Sequence, residues 1–470
     1  MSISTQLAII GAGPGGYIAA FHAADLGLSV TLIDKNAQPG GICLYEGCIP
    51  SKALLHAAKV ITDTKESAVC GIEFSSPKID TEKLRAWKNT IVAKLTNGLA
   101  QLNKARKITY IQGTARFRDS TTLEIKKTDG TTEELLFEKA IIATGSRPIT
   151  LSGLPVCDRV WDSSKALTIP HIPETLLVVG GRYIGLELAT AYSGLGASVT
   201  VAEATAELLS GADRDLADVV LRRMKKNFSG ILPETKVVSG KESPEGIEVT
   251  FENKNGEKSS KIFEAVLVAI GRIPNTENLG LENTRVQLTH IGFIEVNPQR
   301  RTDDKNIFAI GDVAGNPMLA HKASAEARVA AEIIAGQSVA FEPSCIPAVV
   351  FTDPELAWVG LTEAEAKDMS LDVRVFKFPW AASGRAMTMN RTDGITKIIA
   401  DTKTGRILGV GIAGVNAGEL IAEGTLAIEA GIKAEEMGLT IHTHPTLSET
   451  LMESAEGIFG NPSHIIRPKK

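Results

Sequence analysis

Two cysteines, Cys43 and Cys48 in the run GGICLYEGCIPSK, stand close enough in the chain to pair, shortly after a glycine-rich turn. Their C-x4-C spacing is too wide for the usual zinc knuckle, and no second Cys or His pair lies nearby to complete four metal ligands. The segment therefore points to no metal, and to thiol–disulfide chemistry beside a nucleotide cofactor. Two unrelated buried thiols are the alternative. The residues after the second cysteine argue against that: Pro50 can open a helix, and SKALLHAAKVI has apolar residues recurring at threes and fours. Cys48 is thus expected just before a helix N-terminus, where the positive end of the dipole favours a thiolate.

The turn ahead of the cysteines belongs to a strand–turn–helix–strand unit, QLAII-GAGPGG-YIAAFHAADLGLSVTLID. Gly11 makes the tight turn, Gly13 lets backbone approach a pyrophosphate, and Gly16 lets helix and strand pack closely. Pro14 suits the helix start, and Asp34 is placed to accept from a ribose hydroxyl. A second unit reads TLLVV-GGRYIG-LELATAYSGLGASVTVAE, opened by Gly180, closed by Gly185 and ended by Glu203. Gly11 to Asp34 and Gly180 to Glu203 both span 23 positions, so the chain carries one device twice.

The second copy departs from the pattern at Arg182, which takes the middle glycine position. A side chain there crowds a dinucleotide phosphate unless the backbone shifts and the guanidinium itself contacts the pyrophosphate, which is the expectation adopted. Glu203 suits the two hydroxyls of an adenosine ribose and repels a 2′-phosphate. Residues 204–207, Ala-Thr-Ala-Glu, hold no base to receive one, so NAD(H) is expected over NADP(H).

Composition bounds the rest. With 470 residues, 43% hydrophobic and 22% charged, the chain has room for roughly three soluble domains. A net charge of −5 gives no reason to expect nucleic acid. Five cysteines make no extracellular disulfide framework, which favours a reducing compartment, the cytoplasm. Cys70, Cys157 and Cys345 show no paired spacing and read as structural. The opening MSISTQLAII reads as a strand, not a secretion signal, and the closing RPKK as a solvated end. No uncharged apolar run reaches the roughly 18 residues of a membrane span.

These residues together resemble the FAD-dependent pyridine nucleotide–disulfide oxidoreductases. The resemblance covers essentially the whole chain, through GGICLYEGCIPSK, IIATGSRP (141–148), VAIGRIPN (268–275), IFAIGDVAG (307–315) and HTHPTLSE (442–449). It implies an α/β fold of two Rossmann-like dinucleotide-binding domains, for FAD and NAD, with a C-terminal α+β dimerisation domain. The flavin domain is expected over 1–148, completed by 270–345, with the NAD domain inserted at 149–269 and the dimer interface at 346–470. In the family the His before Pro-Thr is the disulfide's acid–base partner and the next Glu orients it; carried over, these are His444 and Glu449. His442 is assigned no chemistry. The match also implies flavin contacts from Lys52 with Glu187 as its ion-pair partner, from Ala115, and from Asp312, Ala320 and His321. It implies a nicotinamide gate at Tyr183 and nucleotide contacts from Val237 and Gly271.

Within the family the pattern is most similar to the members that oxidise dihydrolipoamide with NAD+. The partners so implied are a second copy of the chain and the lipoyl domains of an acyltransferase or a glycine-cleavage carrier protein. Glutathione-type reductases share the C-x4-C and the His/Glu pair but carry bases after the second unit for NADPH. A structural subunit that has lost NAD turnover has Arg182 as its only support. One departure touches the active segment: Tyr45 stands between the cysteines where most members have Asn, which could alter redox potential or substrate fit.

Overall fold

Parallel strands buried on both faces read as continuous apolar runs, and the two glycine-turn units supply them. The computed structural model describes residues 3–466, so the RPKK tail lies outside the described residues. Strand Ile3–Ile10 lies between Val30–Asp34 and Thr132–Ile142, parallel to both. A meander through Thr109–Asp119 and Thr122–Lys127 closes the other side of this sheet. Ile307–Ala309 then adds in parallel beside Thr132–Ile142, so a late segment completes the first sheet.

The second sheet sets Thr175–Val179 between Ser198–Ala202 and Ala265–Val268, all parallel. A three-stranded antiparallel sheet, 235–263, packs on one side of it through Val237, Ile247, Val249 and Phe263. Where the chain enters and leaves this region, Ser146–Pro148 pairs antiparallel with Arg272–Pro274, so both crossings lie side by side. The C-terminal region is a five-stranded antiparallel sheet over 348–414, backed by helices Ala417–Glu429 and Glu449–Phe459. The class is α/β with a C-terminal α+β domain, as the motifs implied.

Ile3–Ile10 of the opening segment is a strand, residues 1–2 lying outside the described ones, and among the described residues no helix is long and apolar enough to cross a membrane. Two local expectations need correction. The helix after the cysteines runs Cys48–Glu66, beginning two residues before the point Pro50 suggested. Proline is tolerated there because the first N–H groups of a helix have no intrahelical acceptor. Cys70 is exposed at the end of a 3₁₀ turn, which leaves it no packing role, whereas Cys157 and Cys345 are half-buried.

The regions are joined by buried charge. The Lys397 ammonium, 1% exposed, lies 2.9 Å from Asp213, 2.7 Å from Asp215 and 2.5 Å from Glu363. Asp213 and Asp215 begin the helix Arg214–Asn227 of the second unit, whereas Lys397 and Glu363 belong to the C-terminal region. Three carboxylates that could hold a cation already hold an ammonium, with Lys377 against the same group.

Candidate active site

Cys43 and Cys48 sit on two successive helices, Gly41–Glu46 and Cys48–Glu66, broken at Gly47. A Cβ at Gly47 would lie 2.8 Å from the Ile42 carbonyl oxygen, so only glycine permits that break. Both cysteines are free thiols, with Cys43 donating to Cys48. That bond raises the Cys43 thiol, burial adding to it. The same bond lowers Cys48 to about 7; burial opposes this, and the Lys52 ammonium one turn along the helix supports it. Cys48 is therefore the more acidic thiol of the pair, chiefly through its partner thiol.

Lys52 Nζ lies 2.7 Å from Glu187 Oε2, and the Glu187 side chain is buried. The expected ion pair is thus present, joining the cysteine helix to the helix Tyr183–Gly194 of the second unit. Sequence reasoning missed what holds its far side. The Phe351 N–H donates to Glu187 Oε1 at 3.0 Å, and the Phe351 ring lies 4.4 Å below the Lys52 ammonium. Tyr183 is the first residue of its helix and is partly exposed, and burial of its hydroxyl raises the phenol, with Asp312 adding to it. Tyr45 gives its hydroxyl to the Gln38 carbonyl at 3.1 Å, outside the cysteine segment.

The two glycine turns have the same geometry. Gly11 and Gly180 have φ +99° and +111°, and a Cβ on either would sit 2.4 Å from a carbonyl oxygen, of Ala143 or Ala269. A Cβ on Gly16 would lie 1.8 Å from Gly11 O, and one on Gly185 2.2 Å from Gly180 O. Asp34 Oδ2 accepts from Ala12 N–H at 2.7 Å, and Glu203 Oε2 from Gly181 N–H at 2.7 Å. Asp34 Oδ2 and Glu203 Oε2 each keep a lone pair for a ribose hydroxyl, whereas the second oxygen already takes two donors, from Asn36 or from Thr205. Neither helix has a side-chain cap, so its first N–H groups remain for a phosphate. Both turns fit a dinucleotide.

The backbone shift expected at Arg182 is absent. Its φ of −93° and ψ of 179° match the −72° and −174° of Gly13, because both are extended N-cap positions that any residue adopts. The exposed side chain leaves without disturbing the turn.

Around the first unit, Asp312 Oδ2 accepts from Ser146 Oγ at 2.5 Å, and Ser146 is held by Arg272 through its hydroxyl at 2.7 Å and its carbonyl at 2.6 Å. The loop bearing Asp312 rests on a second feature the motifs did not reveal. Glu326, fully buried, accepts from Gly311 N–H at 2.6 Å and Arg300 at 2.8 Å, with Lys322 3.2 Å away. The i,i+4 spacing of Lys322 and Glu326 was the available signal. Ala320 is the first residue of their helix, Ala320–Ile334, and His321 bonds the Pro347 carbonyl. Ala115 and Val237 are buried strand residues, and Gly271, with φ +138°, lies at the second crossing.

His444 and Glu449 meet: Nδ1 lies 2.8 Å from Glu449 Oε1, while Glu449 Oε2 accepts from Thr446 N–H at 2.8 Å. Burial would raise the Glu449 carboxyl, but the Thr446 N–H and His444 bonds prevail and hold it low. His444 is exposed. His442, by contrast, is almost buried and bonded on both nitrogens, to the Thr440 carbonyl and Glu423.

Comparison with known proteins agrees with this arrangement. Residues 5–327 match the model of the pyridine nucleotide-disulphide oxidoreductases, and residues 346–455 that of their dimerisation domain. The dihydrolipoyl dehydrogenase of Haemophilus influenzae is 47% identical over 460 residues, 98% of this chain and 96% of that one. That of Geobacillus stearothermophilus is 46% identical over 465 residues, covering 99% and 98%. Among solved structures, LpdA from Mycobacterium tuberculosis superposes with TM-score 0.90 at 27% identity, over 97% of this chain and 99% of that one. The HOCl-induced flavoprotein disulfide reductase RclA from Escherichia coli gives 0.85 at 29%, over 96% and 99%. The thiol pair, the doubled glycine turn and these likenesses lead to one statement: the chain belongs to the pyridine nucleotide–disulphide oxidoreductase family.

Proposed function

We propose that the chain is an NAD-dependent dihydrolipoyl dehydrogenase, which reoxidises protein-bound dihydrolipoamide to lipoamide while NAD+ becomes NADH. The observation that carries this reading is the Cys43–Cys48 pair, with its thiolate at Cys48 and Lys52 beside it. The names of the relatives, each similar over nearly the full chain, support the choice of substrate.

In the proposed cycle the pair begins as a disulfide. Glu449 fixes the His444 tautomer with its proton on Nδ1, so Nε2 is free to take a proton from a lipoyl thiol. The resulting thiolate attacks Cys43, the S–S bond breaks, and Cys48 leaves as a thiolate stabilised by Lys52. The second lipoyl thiol then displaces Cys43, which leaves oxidised lipoamide and a reduced pair. FAD, when bound, supplies the two-electron relay from the dithiol to NAD+. Gly11, Gly13, Gly16, Asp34 and Asp312 would hold it, with Lys52, Ala115 and Ala320. Gly180, Gly185, Glu203, Val237 and Gly271 would hold NAD.

The exposed His444 and the dimerisation domain support a homodimer in which the histidine of one subunit serves the cysteines of the other. Lipoyl domains of an acyltransferase or glycine-cleavage carrier protein would then be the macromolecular substrates, in the cytoplasm. The domain limits 1–148, 149–269, 270–345 and 346–470 fit the paired crossings at Ser146–Pro148 and Arg272–Pro274.

Steady-state assays with dihydrolipoamide and NAD+, set against glutathione disulfide with NADH or NADPH, test the reading. Turnover confined to the lipoyl and NAD pair is expected. Preference for glutathione disulfide with NADPH would overturn it.

A further inference from the structure

The Lys52 ammonium acts on Cys48 from a long, flexible stem, so its effect depends on what fixes it. Glu187 alone does not suffice, because a lysine offers three donors and many rotamers. The remaining contacts come from the C-terminal region. Phe351 comes directly after strand Ala348–Val350, and it touches both members of the pair, its ring facing the ammonium and its N–H on the far carboxylate oxygen. Two residues on, Asp353 is held by Arg391 at 2.6 Å and by Arg223 at 3.2 Å. Arg223 also binds Glu66, the last residue of the helix that Cys48 begins. The short stretch 351–353 therefore reaches the cysteine helix directly at Lys52, one turn from Cys48, and at its last residue through Arg223.

We infer that Phe351 is a positioning residue for the redox pair: its ring and N–H clamp the Lys52–Glu187 couple so that the ammonium stays at Cys48. An aromatic face attracts a cation through its quadrupole, more strongly where water is partly excluded. The N–H gives the buried Glu187 a second partner, so its carboxylate does not compete for all of the lysine's donors. The balance matters because the two charges act oppositely, the ammonium favouring the Cys48 thiolate and the carboxylate disfavouring it. A lysine that swings away leaves Glu187 as the nearer charge. Phe351 thus acts through Lys52. The inference rests on Cys48 being the redox thiolate of the proposed function.

The test is the rate of Cys48 alkylation by iodoacetamide against pH, in the full-length holoenzyme reduced under anaerobic conditions and read by peptide mass spectrometry. The wild-type midpoint is expected near 7, the value to which Cys48 is lowered. Phe351→Leu, which keeps the N–H and much of the volume but removes the ring, should raise it by about half a unit, a roughly threefold loss of thiolate ratio. Phe351→Trp, which restores a π face, should stay at the wild-type midpoint. Lys52→Met should raise the midpoint by itself, and Phe351→Leu on that background should add nothing. An unmoved midpoint in Phe351→Leu, or its full shift persisting without Lys52, overturns the inference. Should the leucine variant not fold, Phe351→Met gives the same contrast. Wild-type lipoamide turnover separates the two readings: an enzyme inactive toward lipoamide that still shows the expected shifts keeps this inference and rejects the proposed substrate.

Discussion

His444 and Glu449 form a closed turn in which one carboxylate oxygen holds the imidazole Nδ1 at 2.8 Å and the other the Thr446 N–H at 2.8 Å. A carboxylate held low only accepts, so Nδ1 carries a proton, and the neutral ring then has its lone pair on Nε2. Glu449→Gln should let the ring rotate or change tautomer. Lipoamide turnover is expected to fall about 10–100-fold, and that of His444→Gln by about 10²–10⁴-fold. Reduction of a dye by NADH, which needs no thiol proton transfer, should be unchanged in both.

Sharing of the site between subunits has a numerical signature. Cys48→Ser and His444→Gln subunits, unfolded and reassembled together in equal amounts, give half of the dimers as mixed pairs. Each mixed dimer holds one site with both wild-type residues, so lipoamide turnover should recover to roughly a quarter of wild type. Failure of the mixture to exceed its separate parents would place the histidine and cysteines of one site in the same subunit.

The second glycine turn separates two contributions to NADH binding. Gly185→Ala puts a Cβ about where the Gly180 carbonyl oxygen stands, 2.2 Å away, and should abolish NADH binding while the protein remains yellow. Arg182→Gly is compatible with the extended backbone and removes the whole side chain, guanidinium included. If that group contacts the pyrophosphate, the NADH Kd should rise about five- to tenfold. A marked gain in affinity would show that the side chain merely obstructs.

Lys397 binds the second unit to the C-terminal region. Its replacement by Met, of similar length, removes the cation from Asp213 and leaves Asp215 and Glu363 to Lys377 alone. Loss of one partner of a fully buried pair costs about 3–5 kcal/mol; the remaining Lys377 and the partial exposure of Glu363 reduce that here, and a fall in Tm at neutral pH is still expected. Burial would raise the Asp215 and Glu363 carboxyls, but the bonds to Lys377 and Lys397 outweigh it and hold both low. Depressed acids contribute stability that is full above their unfolded values and lost as pH falls through their folded ones. The gap between wild type and Lys397→Met should therefore narrow as pH drops below about 4. A gap that stays constant would deny the carboxylates their part.

Gly11, Gly16 and Asp34 were legible in the sequence because their geometry is local: turn, close approach and strand end all lie within one unit. Repetition at Gly180, Gly185 and Glu203 removed the ambiguity of a single motif. Cys48 was legible as a thiolate, but the larger cause, the Cys43 thiol, depends on a side-chain orientation that spacing does not set. The clamp at Phe351, the support of Gly311 by Glu326 and the ammonium among Asp213, Asp215 and Glu363 were not visible. The first and last join residues from distant segments, Glu326 showed only as an i,i+4 pair with Lys322, and a buried charge reads in sequence like a solvated one. Arg182 misled for a related reason, since an extended N-cap accepts a side chain without moving.

The most direct measurement is cysteine trapping on the air-oxidised protein, alkylated under denaturing conditions before and after anaerobic addition of dihydrolipoamide. Cys43 and Cys48 should be protected at first and both become labelled after reduction, while Cys70, Cys157 and Cys345 label equally in the two samples. Equal labelling of Cys43 and Cys48 before and after the dithiol would contradict a redox cycle at this pair.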